Sequence, residues 1–426
     1  MQYCKRCLYP QNHPLGICID EDGVCSGCRI HEEKYSINWL EKGKELDKLF
    51  SKYKNRSGSF YNCVIPVTGN SDSFFVVDVV KNRYGLNPLL VTYNTQFNTK
   101  VGVRNLARLI TKLDCDHMML TASPDIVKEI TKIAMHKIGD MYWHVLAGSQ
   151  TFPVQVATKF NIPLVVWGVN GWLDQVGMFS HYDRVEMTKK VRKEHSLRTM
   201  DVDELFYGES QLTWKDKQPF TYPSDKQLEK SRVRGIYLGN FLSWDAQKQS
   251  EEMINKFGYE TLEQPRTFNT YESIYCWNNA GTHDYIKFLK FGYGKATDHA
   301  SRDIRLKRLS REDGIRLVHN FDDKVPSASL KLFLDWINMT KEEFYKIIDF
   351  FRDPLVWEKD NNGIYIRLDK IENHISDSNV DNVRLTITKP KKYFNTLLLE
   401  SEDEKEGYIL MGRGYIDEYN FKAIKG

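Results

Sequence analysis

The stretch Tyr61 to Val80, YNCVIPVTGNSDSFFVVDVV, most narrows what this chain can fold into. A short apolar run, Cys63 to Val67, halts at Thr-Gly-Asn-Ser-Asp-Ser and gives way to apolar residues at helical spacing. That is the pattern of a buried parallel strand, a tight turn and a helix start. The amides of such a turn and the positive end of the helix dipole converge on one point, so the spacing predicts a phosphate cradle. Thr68, Ser71 and Ser73 would add hydroxyl donors and Gly69 would let the backbone approach an anion. Asp72 stands where a bound magnesium needs an oxygen ligand. No Gly-Lys-Ser/Thr ends the loop, so it is not a Walker loop, and taken alone the stretch also suits an ordinary turn.

The flanking residues extend the pattern. Ile37 to Tyr53 is amphipathic at helical spacing and leads into the first strand. Asn87–Tyr93, His117–Leu120 and Ile162–Val169 read as further strands, and Gly235–Gly239 as a last short one. Helices are expected at Val101–Leu113, Pro124–Ile138 and Phe152–Phe160. This alternation predicts an α/β fold, a Rossmann-like doubly wound parallel sheet. Ligands of such sheets sit at the carboxyl ends of strands, where Thr68 to Ser73, Asn94, Gly168 and Asn170 fall. The mixed-charge run Glu186–Arg198 reads as a solvated helix face.

Ahead of the sheet lies YCKRCLYPQNHPLGICIDEDGVCSGCRIHEEK. Cys4 and Cys7 form one CxxC pair and Cys25 and Cys28 a second, with 17 residues between. Two-residue spacers let both thiolates of each pair reach one tetrahedral ion, so a structural zinc knuckle is expected, with His13, Cys18 and His31 as spectators. Four thiolates leave no open position, which makes the role stability or docking rather than chemistry.

Beyond residue 240 the pattern turns helical, with Asp245–Phe257, Thr282–Phe291, Lys295–Arg311, Glu312–Asn320, Leu330–Ile337 and Lys341–Phe351 as helices. Lys295 to Arg311 gathers many cations that cannot share one face. Arg302 and Arg305, beside Asp298 and Asp303, are the pair expected to meet an anionic ligand, although composition alone favours a salt-bridged surface helix. From Asp360 short β-branched and aliphatic runs at Gly363, Val383, Phe394 and Gly407 suggest a small β-rich appendage. The expected division is a knuckle at 1–35, an α/β domain at 36–240, a helical substrate-binding region at 241–358 and the appendage at 359–426.

A net charge of +3 from 60 basic and 57 acidic residues argues against a general nucleic-acid binder. No apolar h-region opens the chain and no apolar run is long enough to span a bilayer, so the expected location is the cytoplasm.

Several segments carry a resemblance: YCKRCLYP with the second CxxC, CVIPVTGNSDSFF, FPVQVATKFNIPLVVWG, GMFSHYDRVEMTKKVRKEH, RGIYLGNFLSWDA, THDYIKFLKFGYGKATDHASRDIRLKRLSREDGI and FFRDPLVWEK. In this order, over residues 1 to about 360, the chain resembles the N-acetyl sugar amidotransferases of surface-glycan biosynthesis. These are the WbpG and PseA type, within the PP-loop ATP-pyrophosphatases. The resemblance implies that an acetamido group on a lipopolysaccharide, capsule or flagellar sugar becomes acetamidino. ATP adenylates the amide oxygen, pyrophosphate leaves, and ammonia from a separate glutaminase/cyclase-type partner displaces AMP. It further implies ATP and Mg²⁺ held at Thr68, Gly69, Asn70, Ser71, Asp72, Ser73, Asn94 and Gly168, with Asp72 and Ser73 catalytic. The acetamido sugar would lie at Asn170, Lys295, Asp298, Arg302 and Arg305, and a homo-oligomer is among the expected assemblies.

The chain departs from that pattern where the loop usually reads Ser-Gly-Gly-Lys-Asp-Ser, since Asn70 and Ser71 follow Gly69 here. Asn is the residue best able to replace Gly at a positive φ. After the fourth strand Val169 stands where an acid is usual. These departures leave open a non-catalytic paralogue that binds nucleotide or sugar and scaffolds the glutaminase. A tRNA-modifying PP-loop enzyme is the third alternative, disfavoured by balanced charge and by the isolation of Cys63 and Cys115.

Overall fold

The structure is a computed structural model that describes residues 1–54 and 60–377, and the backbone of 395–397 and 409–411. Five parallel strands form the central sheet: β1 (Cys63–Pro66), β2 (Pro88–Tyr93), β3 (His117–Leu120), β4 (Leu164–Trp167) and β5 (Arg234–Tyr237), in the order β3-β2-β1-β4-β5. Register is set by pairs such as Val64 with Leu89 and Val165 with Gly235. Alternate residues of the inner strands serve opposite layers. Cys63, Ile65, Leu90, Leu164 and Val166 enter one core, and Val64, Leu89, Val91 and Val165 enter the other. Covering helices on both faces follow from such two-sided apolar strands.

The N-terminal segment contributes α1 (Ser26–Glu33) and α2 (Trp39–Lys54). On the first face of the sheet, Leu46 and Phe50 of α2 pack with α3 (Ser71–Val77) and α4 (Lys100–Leu113). The π-helical turn Asp78–Arg83 prolongs α3. Next come α5 (Pro124–Ile138) and α6 (Trp143–Lys159), and Val154, Val156 and Ala157 of α6 cover the second face. After β4, α7 (Gly171–Asp174) leads through short helices α8 (Lys189–Val191), α9 (Val202–Leu205), α10 (Trp214–Lys217) and α11 (Asp225–Ser231) back to β5. The run expected to be a solvated helix is instead α8 and a π-helical turn, Arg192–Ser196. Arg192 there is fully buried, bonded to Asp201 at 2.9 Å and the Phe220 carbonyl at 3.0 Å.

The helical region comprises α12 (Ala246–Phe257), α13 (Thr282–Phe291), α14 (Lys295–Arg305), α15 (Arg311–His319), α16 (Ser327–Ile337) and α17 (Lys341–Asp349). Met253 of α12, with Tyr259 and Ile274 beyond it, packs on Phe74 in the core shared with β1. The chain after residue 240 therefore completes the α/β layer before it departs from it. The tail begins with the hairpin β6 (Trp357–Lys359) and β7 (Tyr365–Arg367), anchored by Arg367 Nη1 donating to the Gly292 carbonyl at 3.0 Å. Strands β8 (Asn395–Leu397) and β9 (Ile409–Met411) pair antiparallel, and the run expected at Val383 lies outside the described residues. Among the described residues no helix is long and apolar enough to cross a membrane.

Candidate functional site

The strand order reverses between β1 and β4, so the loops leaving their carboxyl ends diverge and open a crevice. The loop Thr68–Ser73 occupies its floor. The Thr68 amide donates to Ser73 Oγ at 2.9 Å, and the two hydroxyls face each other at 3.5 Å. The Asn70 amide donates to Thr68 Oγ1 at 3.3 Å. The first-turn amides of α3 lack intrahelical acceptors and are the kind of donor a phosphate uses, although that of Ser73 is taken by the Asp72 carboxylate. Asp72 is exposed to the crevice, and its carboxylate accepts the Ser73 amide at 2.8 Å. Crowding by protein, and then the charge of Glu272, pushes its carboxyl up to about 6.

Three details of the loop differ from the sequence expectation. Gly69 has no positive φ; a Cβ there would lie 2.2 Å from the Gly102 carbonyl, so this glycine serves the close packing of the loop on α4. Asn70 is extended, with φ −93°, and its Oδ1 accepts the Ile274 amide at 3.2 Å, so it tethers the loop to the helical region. Ser71 is buried with its hydroxyl turned away from the crevice, toward Ser250 of α12 at 2.7 Å.

The tethered segment, Tyr271 to Tyr275, carries the facing wall. Glu272 is held by Arg302 of α14, whose Nη1 donates at 2.9 Å. Lys295, at the start of α14, donates to Ser273 Oγ at 3.2 Å and to Asn279. Ser273 itself is left-handed, with φ +60°, a strained conformation for a residue with a Cβ. A buried ion pair fixes this wall from behind: Arg266 Nε donates to Asp284 at 2.8 Å, with both side chains inaccessible. Asp322 accepts the Gly294 amide at 2.8 Å and the Thr297 hydroxyl at 2.6 Å, which anchors the first turn of α14.

The remaining predicted residues divide. Lys295 and Arg302 come to the loop's facing wall, but Arg305 does not: its guanidinium is buried beside the cysteines, donating from Nε to Cys28 Sγ at 3.4 Å. Asp298 spends its carboxylate on Lys287 at 2.5 Å and the Tyr9 hydroxyl at 3.1 Å. Asn94 bridges the ends of β2 and β3, its Nδ2 donating to Thr121 at 3.0 Å. Gly168 lies under the Trp244 ring. Asn170 caps α7 by accepting the Trp172 amide at 3.0 Å, and Val169 packs against the apolar core. Glu272, Arg266, Asp284 and Asp322 were missed, since isolated charged residues show no periodic or spacing signal.

Cys4, Cys7, Cys25 and Cys28 form one buried cluster with all four sulfurs within 4.8 Å of one another. A tetrahedral zinc–thiolate site has sulfurs about 3.8 Å apart, from its bond length of about 2.3 Å. Amides of Cys7 and Cys25 point at Cys4 Sγ, at 3.4 and 3.2 Å, which suits a thiolate rather than a thiol. The donor set fits a structural metal ion, and His13 and His31 stand outside it.

Residues 251–372, which supply the wall opposite the loop, match the family described as LPS biosynthesis protein WbpG-like, C-terminal domain. The uncharacterized protein MJ1599 of Methanocaldococcus jannaschii is 24% identical over 117 residues, 28% of this chain and 42% of that relative's length. The chain thus spans less than half of the curated relative it matches. Among solved structures, the NMN synthetase of Francisella tularensis aligns at 14% identity and a TM-score of 0.27, covering 54% of this chain and 99% of that one. The NH3-dependent NAD synthetase of Campylobacter jejuni, solved with a nitrate ion, aligns at 15% identity and a TM-score of 0.28, covering 53% and 100%. Residues 251–372 of this chain are thus similar to a WbpG-like C-terminal domain.

Proposed function

We propose that the chain is an ATP-dependent amidotransferase that converts an acetamido group of a bacterial surface-glycan sugar to acetamidino. The observation that carries this reading is the Asn70–Ile274 bond, which clamps the loop after β1 against a wall bearing Glu272, Lys295 and Arg302. In this reading the loop amides, Thr68 and Ser73 hold the departing pyrophosphate, and Asp72 ligates magnesium. Bound magnesium supplies charge neutralisation for the leaving group. Lys295 and Arg302 keep a positive wall over the reacting phosphates, and Glu272 orients Arg302. Ammonia reaches the activated amide from a partner glutaminase, displacing AMP so that the amide oxygen departs with it. Zinc in the cysteine cluster is structural and the reaction takes place in the cytoplasm.

The test is release of AMP from α-labelled ATP with ammonium and an acetamido sugar. AMP that appears only when both are present supports the reading, and none with any acceptor sinks it. A second reading, a nucleotide or sugar binder without turnover, draws support from the commitment of the Asn70 and Ser71 side chains to Ile274 and Ser250. Tight ATP binding without AMP release would distinguish it.

A further inference from the structure

A cavity of about 860 Å³ opens between the carboxyl end of α6, α10 and α11. The chain runs from α6 straight into the amino end of β4, and from α11 into the amino end of β5. This cavity therefore lies at the opposite edge of the sheet from the loop after β1. Trp214, the first residue of α10, lines it with 73% of its surface open to water. The indole does not ride on a loose segment. The Thr213 amide and hydroxyl both donate to Asp216 Oδ2, at 2.8 and 2.7 Å, which closes the turn of α10. Gln155 Nε2 of α6 donates to the Gln218 and Thr221 carbonyls at 2.9 and 2.8 Å, tying the segment after α10 to the helix beside it. A large apolar ring held fixed and wet leaves hydrophobic free energy that a flat ligand would recover.

Three lysines line the same cavity, Lys159, Lys217 and Lys230, against one carboxylate, Asp203. Among the described residues none of the three forms an ion pair, and Lys217 instead lies 5.5 Å over the Phe206 ring. Trp214 and Lys217 are three apart on α10, so indole and ammonium share a face. Hydrogen-bonding groups stand beside them. The buried Thr158 hydroxyl has no partner, and Asn161, left-handed at φ +54°, spends no side-chain hydrogen bond among the described residues. Few ligand classes use all of these groups. An inorganic anion would answer the lysines and leave the indole bare. A neutral sugar would cover the indole and leave three like charges uncompensated. An aromatic base stacks on an indole, its edge bonds to an amide such as that of Asn161, and attached phosphates carry the charge the lysines lack.

We propose that this cavity is a second ligand site and takes a nucleotide with two or more phosphates, its base on Trp214 and its phosphates at Lys159, Lys217 and Lys230. The site is separate from the crevice and does not depend on the amidotransferase reading. With ammonium groups as the counter-charge, the phosphates need no metal, so the nucleotide binds here without magnesium. That sets it apart from the crevice, where Asp72 is the proposed magnesium ligand.

The test is calorimetric titration of the full chain in EDTA with ADP, UDP, inorganic pyrophosphate and N-acetylglucosamine. At least one nucleotide should bind at one site per chain, tenfold or more tighter than pyrophosphate or the sugar, and the two nucleotides tell purine from pyrimidine. Trp214→Ala should weaken that binding tenfold or more. Lys159→Gln combined with Lys217→Gln should weaken it by a similar factor and flatten its salt dependence. Gly69→Ala, which acts on the crevice, should leave it as it is. An unchanged melting temperature of the Trp214 and lysine variants is the folding control. No nucleotide bound in EDTA, pyrophosphate bound as tightly as the nucleotides, unaltered affinity in folded Trp214→Ala, or loss of the binding in Gly69→Ala overturns the proposal.

Discussion

Arg305 Nε lies 3.4 Å from Cys28 Sγ, and its Nη1 donates to the Gln175 carbonyl at 2.7 Å. One side chain of α14 thus touches the cysteine cluster and the segment that follows α7. Four thiolates around a divalent ion leave a net charge of about −2, and burial makes an uncompensated charge costly. Arg305 is the buried counter-charge, and the knuckle is built onto the helix whose other end carries Lys295. Arg305→Gln should accelerate zinc loss to a chromophoric chelator by about 10–100-fold, the usual cost of removing such a support. Release at the wild-type rate would dissociate the helix from the metal site.

Gly69→Ala places a methyl group 2.2 Å from the Gly102 carbonyl, where backbone must move. The loop should shift off α4, with about 1–3 kcal/mol lost in denaturant unfolding. ATP binding, read by calorimetry, should fall at least tenfold with it. An unchanged ATP affinity would mean that the nucleotide does not use this loop.

With Asp72 as the proposed magnesium ligand, nucleotide binding should depend on pH. The Asp72 pKa is raised, so the carboxylate that a magnesium ion requires is present above about 6 and lost below it. Magnesium-dependent ATP binding should therefore weaken by up to about tenfold per pH unit below that point. Asp72→Asn should remove this component, while protonation of the nucleotide itself is common to both proteins. Identical pH profiles for the two would exclude Asp72 as the ligand.

What was legible followed the apolar pattern. His117–Leu120, Pro124–Ile138 and Thr282–Phe291 have the expected bounds, because strand and helix periods there are unambiguous. The helix foreseen from Phe152 begins at Trp143, since Pro153 reads as a breaker yet sits inside a buried α6 whose packing overrides it. Cationic residues were the least legible. Arg192, Arg266, Arg305 and Arg311 are all buried, and a linear string of charges does not distinguish a guanidinium facing water from one enclosed by carbonyls and sulfurs. His13 was read only as a spare ligand, for the same reason: its environment comes from α13 and α14, far along the chain.

The Arg266–Asp284 pair tests whether the wall opposite the loop is held electrostatically. Both side chains are buried, Asp284 is lowered because the nearby cations outweigh its burial, and Arg266 also lies 5.3 Å over the Tyr285 ring. Arg266→Leu strips the buried Asp284 carboxylate of its closest counter-charge and leaves Lys287 at 3.5 Å as its ion-pair partner, which should cost about 3–5 kcal/mol in unfolding free energy. Adding Asp284→Asn to that variant removes the under-compensated charge and should recover part of the loss, so the two substitutions are strongly non-additive. The coupling should extend to function. Tilting α13 and α14 displaces Lys295 and Arg302 together, so Arg266→Leu should weaken sugar and ATP binding alike, and the double variant should restore both in proportion to its stability. Additive effects on stability would show that the pair acts through packing alone.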